Sequence, residues 1–313
     1  MSGNKSQFSK APAIYHLINL FTYWLYLFFN LFRKSNSVNN KKVAPLIITG
    51  MFRSGTTITA SLLQLLGFHA GPKHHLLGAM GPRKSLNPEG FLENYPFMDL
   101  SMYIFYLTNS YGDSPPEKAA IEKLSLSGIR DSDAAKFSLL KIHDSRISNL
   151  NKINALFNFN FSQPQLYLNN CFNHKSFIKN PHFAPLYCFF KKLFPDSKFL
   201  VVFKHPVNAV KSAKKVSVNS DYILYCKYYD QLIAQHQVNG ANVFFFSFDE
   251  LVKQPEVSLK KLAELVGISD YDEKKIVSSI KKPVELVSEA DPIPESALCA
   301  YNYMLSHSIN NKV

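Results

Sequence analysis

Leu46-Ile47-Ile48-Thr49-Gly50-Met51-Phe52-Arg53-Ser54-Gly55-Thr56-Thr57 decides how this chain is read. A short apolar run ends at Gly50. A loop follows with the cation of Arg53 and the hydroxyls of Ser54, Thr56 and Thr57, and Ile58 to Leu66 then has helical character. Strand, tight loop and helix start, in that order, build a phosphate cradle. Loop amides and the helix N-terminus aim their N–H groups at one point, and the helix dipole favours an anion there. The stretch comes close to the nucleotide-binding pattern GxxxxGK[ST] and departs from it at one position. Thr56 stands in the place of the lysine, and the cation sits at Arg53, ahead of the second glycine.

Outward from this loop, Ser176 to Lys179, Phe199 to Phe203 and Val243 to Phe248 read as short strands. Helices are expected over Phe183–Phe194, Val207–Val216 and Tyr222–Val238, and after a turn between Phe248 and Gly267. Residues 70–98 read as loop with a short helix and 99–135 as helical, whereas 150–172 carry no clear period. Phe137 to Ile142 reads as one more strand, ending in Lys141-Ile142-His143-Asp144. Strands alternating with helices predict an α/β fold, a central parallel sheet flanked by helices of the P-loop-containing type. In such sheets ligands sit beyond the carboxyl ends of the strands. Three polar clusters fall at such ends: Arg53 to Thr57, Lys179-Asn180-Pro181-His182 and Lys204-His205-Pro206.

A chain of 313 residues, 46% of them hydrophobic, has ample material for a core. Its net charge of +12 fits either a lysine-rich solvated surface or an anionic ligand or membrane surface. No long basic run or nucleic-acid motif points to DNA or RNA. Cys171, Cys188, Cys226 and Cys299 lack CxxC and zinc spacing, as expected of buried thiols in a reducing compartment. His69, His74 and His75 have no carboxylate at metal spacing and read as loop polarity, so no metal is expected.

Ala11 to Phe32 holds no charged residue. It is long enough to span a bilayer, which takes about 20 residues. His16, Asn19, Thr22 and Asn30 dilute it, and Ile14, Leu17, Ile18, Phe21, Leu25, Phe28 and Phe32 share one helical stripe. A spanning helix, an in-plane interfacial helix and a helix packed on the domain all stay open. No small-residue cleavage site is evident. Arg33, Lys34, Lys41 and Lys42 after the segment outnumber Lys5 and Lys10 before it, which by the positive-inside rule keeps the following domain in the cytoplasm or on the cytoplasmic face. The chain therefore divides into residues 1–42, a hydrophobic membrane-associating helix with a basic linker, and residues 43–313, the main domain.

The loop Gly50 to Thr57 resembles the 5'-phosphosulfate loop of the sulfotransferase family, whose core is [KR]-x-G-T-T. Phe194-Pro195-Asp196-Ser197-Lys198-Phe199 through Lys204-His205-Pro206 to Ser212 is similar to its 3'-phosphate motif, with the serine eight residues after the cation. Asn87 to Asn94 resembles the bacterial branch's NPxGYFE element, Ile178 to His182 its LKxPxH or KDPR element, and Phe246 to Pro255 its late Y-E-D-L-x-x-D-P turn. The resemblance implies transfer of a sulfuryl group from 3'-phosphoadenosine 5'-phosphosulfate (PAPS) to a hydroxyl or amine, without a metal. Residue by residue, it implies that Arg53, Ser54, Gly55, Thr56 and Thr57 hold the 5'-phosphosulfate, with Arg53 meeting the charge on the leaving oxygen. It implies Lys204 and Ser212 for the 3'-phosphate, Lys179 for the sulfuryl oxygens and Glu93 as base, with His143 and His182 as rival bases. Lys204 stands where the family has arginine, which loses the bidentate fork, and Phe248 where it has tyrosine. The glycine- and lysine-rich C-terminal loop of eukaryotic members is not evident. Two other readings stay open: a nucleotide-binding, membrane-associated relative without turnover, and a P-loop kinase. The acceptor, a glycan, lipid or small molecule, is not readable. The N-terminal segment points toward a membrane-borne one.

Overall fold

The computed structural model describes residues 17, 20–21, 23–25, 28, 43–78, 91–141, 149–215, 219–280 and 292–311. In chain order its elements are β1 (Leu46–Thr49), α1 (Thr56–Leu65), α2 (Tyr95–Leu107), α3 (Lys118–Glu122), α4 (Asp131–Lys141), α5 (Asn149–Asn158), α6 (Pro164–Cys171), β2 (Phe177–Lys179), α7 (Tyr187–Leu193), β3 (Phe199–Phe203), α8 (Pro206–Lys214), α9 (Tyr222–Asn239), β4 (Val243–Ser247), α10 (Phe248–Lys253), α11 (Pro255–Val266), α12 (Glu273–Ser278) and α13 (Glu295–Ser306).

The strands form one parallel sheet in the order β2-β1-β3-β4. Parallel sheets carry helices on both faces, so their strands are apolar throughout rather than alternating. LIIT in β1 and FLVVF in β3 obey this, and every residue of both is buried. Successive side chains go to opposite faces. Ile47, Phe199, Val201, Phe203 and Phe245 face a core built with α2 and α9, including Phe97, Ile104 and Leu232. Ile48, Leu200, Val202 and Phe246 face a second core with Leu62 and Leu63 of α1 and Leu259 and Leu262 of α11. α11 stops at Gly267, whose φ of 73° is the left-handed conformation that ends helices.

The β4 edge is not left open. Ser308 forms a parallel bridge with Phe245, and the Ile309 amide donates to the Phe245 carbonyl at 2.9 Å. Asn310 closes the contact, accepting from the Ser247 amide at 2.9 Å and donating to the Ser247 carbonyl at 2.8 Å.

The expected strand over Phe137–Ile142 is corrected: Phe137 lies within helix α4. A short, mostly apolar stretch such as Phe137-Ser138-Leu139-Leu140 does not by itself separate helix from strand. Asp131 and Asp133 in the first turn complement a helix N-terminus, and buried Ala134, Ala135 and Leu139 form the face that packs inward. The stretch without period, 150–172, forms α5 and α6. Most of Ala11–Phe32 lies outside the described residues. Among those described, Leu17, Phe21, Trp24 and Phe28 are exposed, and Tyr23 packs partly against the main core. No helix of the described residues is long and apolar enough to cross a membrane.

Candidate functional site

The carboxyl ends of β1 and β3 carry the first half of the site. As β1 ends, Gly50 takes φ 146°, and a Cβ there would collide with the Val202 carbonyl oxygen on β3. Arg53 adopts φ 67° and Gly55 φ 98°, so the loop folds tightly back before α1. Gly55 abuts the Phe248 ring so closely that any Cβ would overlap it. Ser54 braces the turn, its Oγ donating to the Met51 carbonyl at 2.7 Å. Gly55 caps α1 without a side-chain bond, so the first amides of α1 keep their donors for a ligand.

Arg53 stands at the rim and donates from Nε to Ser212 Oγ at 3.4 Å. Desolvation lowers its pKa, and a guanidinium starts high enough to stay charged. Lys204 lies nearby, Nζ 5.2 Å from the centre of the Phe248 ring. Its pKa is lowered mainly by burial. Asp249 opposes the shift, and the positive charges of Arg53 and Lys215 add to it. Asp249, at the start of α10, accepts a hydrogen bond from the His205 amide at 2.6 Å. Its pKa is raised by burial, with the His205 bond and Lys204 working against that. The loop after β1 and the turn after β3 thus present an excess of positive charge along one edge of the sheet. Arg53, Ser54, Gly55, Thr56, Thr57, Lys204 and Ser212 are brought together there.

The second half is a buried ion pair. Glu93 bridges to Lys179 of β2 in parallel register, and their side chains meet at 2.7 Å with only 10% and 2% exposed. Lys179 also donates to the Phe91 carbonyl at 3.0 Å. Asn180, next in the chain, accepts from the His182 amide and donates to Ser101 Oγ and the Phe97 carbonyl. Thr49 Oγ1 at the end of β1 donates to the Asn180 carbonyl at 2.9 Å, locking this turn to the first. His182 packs edge-on to Phe52 of the phosphate loop, centroids 5.2 Å apart, and to Phe105 at 5.1 Å. Phe52 in turn lies 5.6 Å from the Tyr228 ring. The pKa of Tyr228 is raised well above its usual value, chiefly by burial, and the charges of Asp113 and Glu93 contribute. Phe52 and Tyr228 therefore join the phosphate loop to the carboxylate side. His143 lies outside the described residues.

The histidine cluster splits: His74 and His75 pack ring against ring, centroids 4.2 Å apart, while His69 makes its own contacts. His75 is buried, bonded to Tyr167 Oη at 2.8 Å and Asn154 Oδ1 at 3.0 Å, and burial lowers its pKa. His69 instead meets Ser176 Oγ at 2.9 Å. Among the described residues no group of three His, Cys, Asp or Glu could hold a metal ion.

Sequence reasoning missed Phe248 as the wall behind both Gly55 and Lys204. It also missed three tyrosines of α9. Tyr229 Oη accepts from the Met51 amide at 3.0 Å, Tyr225 Oη donates to the Lys204 carbonyl at 3.0 Å, and Tyr228 Oη donates to the Gly112 carbonyl at 2.8 Å. The one available signal was three tyrosines at i, i+3 and i+4, since a buried tyrosine hydroxyl needs a partner.

The Sulfotransferase family matches residues 45–273. Three solved structures are similar. The sulfotransferase domain from the Synechococcus PCC 7002 olefin synthase is 12% identical, over 86% of this chain and 98% of that one, with a TM-score of 0.44. Sulfotransferase STF9 from Mycobacterium avium is 14% identical, over 86% and 69%, with a TM-score of 0.42. Sulfotransferase STF1 from Mycobacterium tuberculosis H37Rv is 12% identical, over 93% and 83%, with a TM-score of 0.38. No curated protein matches the chain at a significant level. With a family match running from the strand before the phosphate loop to beyond α11, the chain belongs to the sulfotransferase family.

Proposed function

We propose that this sulfotransferase uses PAPS as donor and transfers its sulfuryl group to a hydroxyl or amine of a glycan, lipid or small-molecule acceptor. The observation that carries the reading is the convergence of Arg53, Ser212 and Lys204 at the carboxyl ends of β1 and β3. One phosphate there calls for the loop cation and amides, and a second for Lys204 and Ser212.

In this reading the 5'-phosphosulfate lies against the loop amides, the α1 N-terminus and the hydroxyls of Thr56 and Thr57. The acceptor oxygen attacks sulfur in line. The S–O bond to the 5'-phosphate breaks, and Arg53 meets the negative charge gained by the departing phosphate oxygen. The acceptor proton passes to Glu93, and the products are a sulfate ester and adenosine 3',5'-bisphosphate. Lys179, held by Glu93, turns its charge to the sulfuryl oxygens. His182, against Phe52, is the alternative base within the described residues. The chain's own donors supply the charge stabilisation, and the reading needs no metal. Residues 1–42 form a separate segment in this proposal. The exposed Leu17, Phe21, Trp24 and Phe28 contact a membrane surface, with the domain of residues 43–313 on its cytoplasmic side.

Calorimetric titration of the full chain with adenosine 3',5'-bisphosphate, AMP and ATP tests the donor. Preference for the 3'-phosphorylated nucleotide, lost in Lys204→Ala, supports it. Preference for ATP with magnesium moves the protein to phosphoryl transfer, and binding of none leaves a relative without turnover.

A further inference from the structure

We infer that Tyr225 and Tyr229 are positioning residues that set the spacing between the 5'-phosphosulfate loop and the 3'-phosphate element, one tyrosine serving each. The inference rests on the donor reading above. It concerns residues that touch neither nucleotide nor acceptor but hold the backbone segments that do.

The need for such a device follows from the sheet. β1 and β3 are paired only as far as Thr49 and Val201. Beyond that pair β1 leaves the sheet and the 5' element begins, while β3 stays paired with β4 alone as far as Phe203, after which Lys204 opens the 3' element. α9 takes over. Its Tyr225 and Tyr229 are fully buried with rings 4.9 Å apart. Tyr229 Oη accepts from Met51 N–H in the first element and donates to the Val202 carbonyl on β3 at 3.2 Å. Tyr225 Oη donates to the carbonyl of Lys204 itself. A tyrosine has two side-chain torsions and a rigid ring. Packed in a core, its hydroxyl goes where the helix backbone sends it. Four residues of helix advance about 6 Å, so one turn of α9 fixes the offset between the two anchor points. Burial raises the pKa of both phenols, so both keep the proton they donate.

The two anchors are not equivalent, which makes the inference testable. Met51 belongs to the loop that every adenosine 5'-phosphate uses. Lys204 serves only a nucleotide carrying a 3'-phosphate. The experiment is calorimetric titration of the full chain and of Tyr225→Phe, Tyr229→Phe and Tyr303→Phe with adenosine 3',5'-bisphosphate and with AMP, with melting temperatures alongside. Tyr303 bonds His236 at 2.8 Å, away from both elements, and controls for loss of a hydroxyl. Tyr225→Phe is expected to weaken the bisphosphate about tenfold, the size of one lost hydrogen bond, and to leave AMP unchanged. Tyr229→Phe weakens both nucleotides alike, so their ratio stays. Tyr303→Phe changes neither. Tyr225→Phe that weakens both equally, or neither, overturns the inference while the donor reading stands. A wild-type protein indifferent to the 3'-phosphate overturns the donor reading and the inference with it. Tyr229→Phe strips the partner from the Met51 amide. If that variant does not fold, Tyr225→Phe decides alone, because it leaves only a carbonyl oxygen short of one donor.

Discussion

The two halves of the site balance charge in opposite ways. On the β1–β3 side, Arg53, Lys204 and Lys215 crowd together with Asp249 as the nearby counter-charge, and Lys204 is pushed toward its neutral form. On the β2 side, Glu93 and Lys179 neutralise each other in a buried pair. The first half keeps an excess of positive charge, with burial as the main force on Lys204. The second is complete before any ligand arrives. Nucleotide binding should therefore stabilise the fold through the first half, while damage to the second should appear in the empty protein.

The contrast breaks most visibly at Glu93→Gln. A buried pair stripped of one charge costs on the order of 3 kcal/mol. If Glu93 is also the base, the rate falls by about 100- to 10,000-fold. Melting temperature and single-turnover rate are the readouts, and a variant with normal rate but low melting temperature makes the pair purely structural. Next is Arg53→Ala, expected to lower kcat by about 100- to 1000-fold, as for loss of one transition-state donor. Unlike Glu93→Gln, it should not lower the melting temperature of the empty protein, because the charge it removes repels Lys204. Third, adenosine 3',5'-bisphosphate at about 100 times its Kd should stabilise wild type by about 2.7 kcal/mol. Lys204→Ala should lose most of that shift at the same nucleotide concentration.

The smallest effect sharpens the comparison through pH. The folded pKa of Lys204 lies below the ordinary lysine value. Between the two, the unfolded chain holds a proton that the empty native protein does not, so Lys204's contribution to stability rises with pH across that window. Nucleotide affinity moves the other way, falling as Lys204 loses its charge. Lys204→Arg should flatten both dependences and tighten the bisphosphate a few-fold through a bidentate contact. Titrations at three alkaline pH values measure it, and parallel curves for wild type and variant would remove Lys204 from the 3'-phosphate.

What could be read in advance was whatever depends on local chemistry. β1 and β3 are legible because strands buried on both faces leave no polar alternation to misread. The phosphate loop is legible because Gly50 and Gly55 have backbone angles and neighbours that admit no side chain. The α4 stretch failed because a short, mostly apolar segment suits a helix face as well as a strand. The Glu93–Lys179 pair joins residues 86 positions apart, and nothing local marks them as partners. The α9 tyrosines were hidden for a related reason: each bonds the backbone of a distant segment, and a backbone amide carries no identity in the sequence.

The Ser308–Asn310 segment laid along β4 has a practical consequence. An uncovered outer strand offers a row of unpaired amides and carbonyls to a neighbouring molecule, the start of edge-to-edge aggregation. Here Ile309 and Asn310 occupy part of that row. A protein cut before Ser308 would keep every residue of the phosphate cradle and the ion pair, yet expose Phe245 and Ser247 on its outer strand. Its first symptom should be poor solubility rather than lost chemistry.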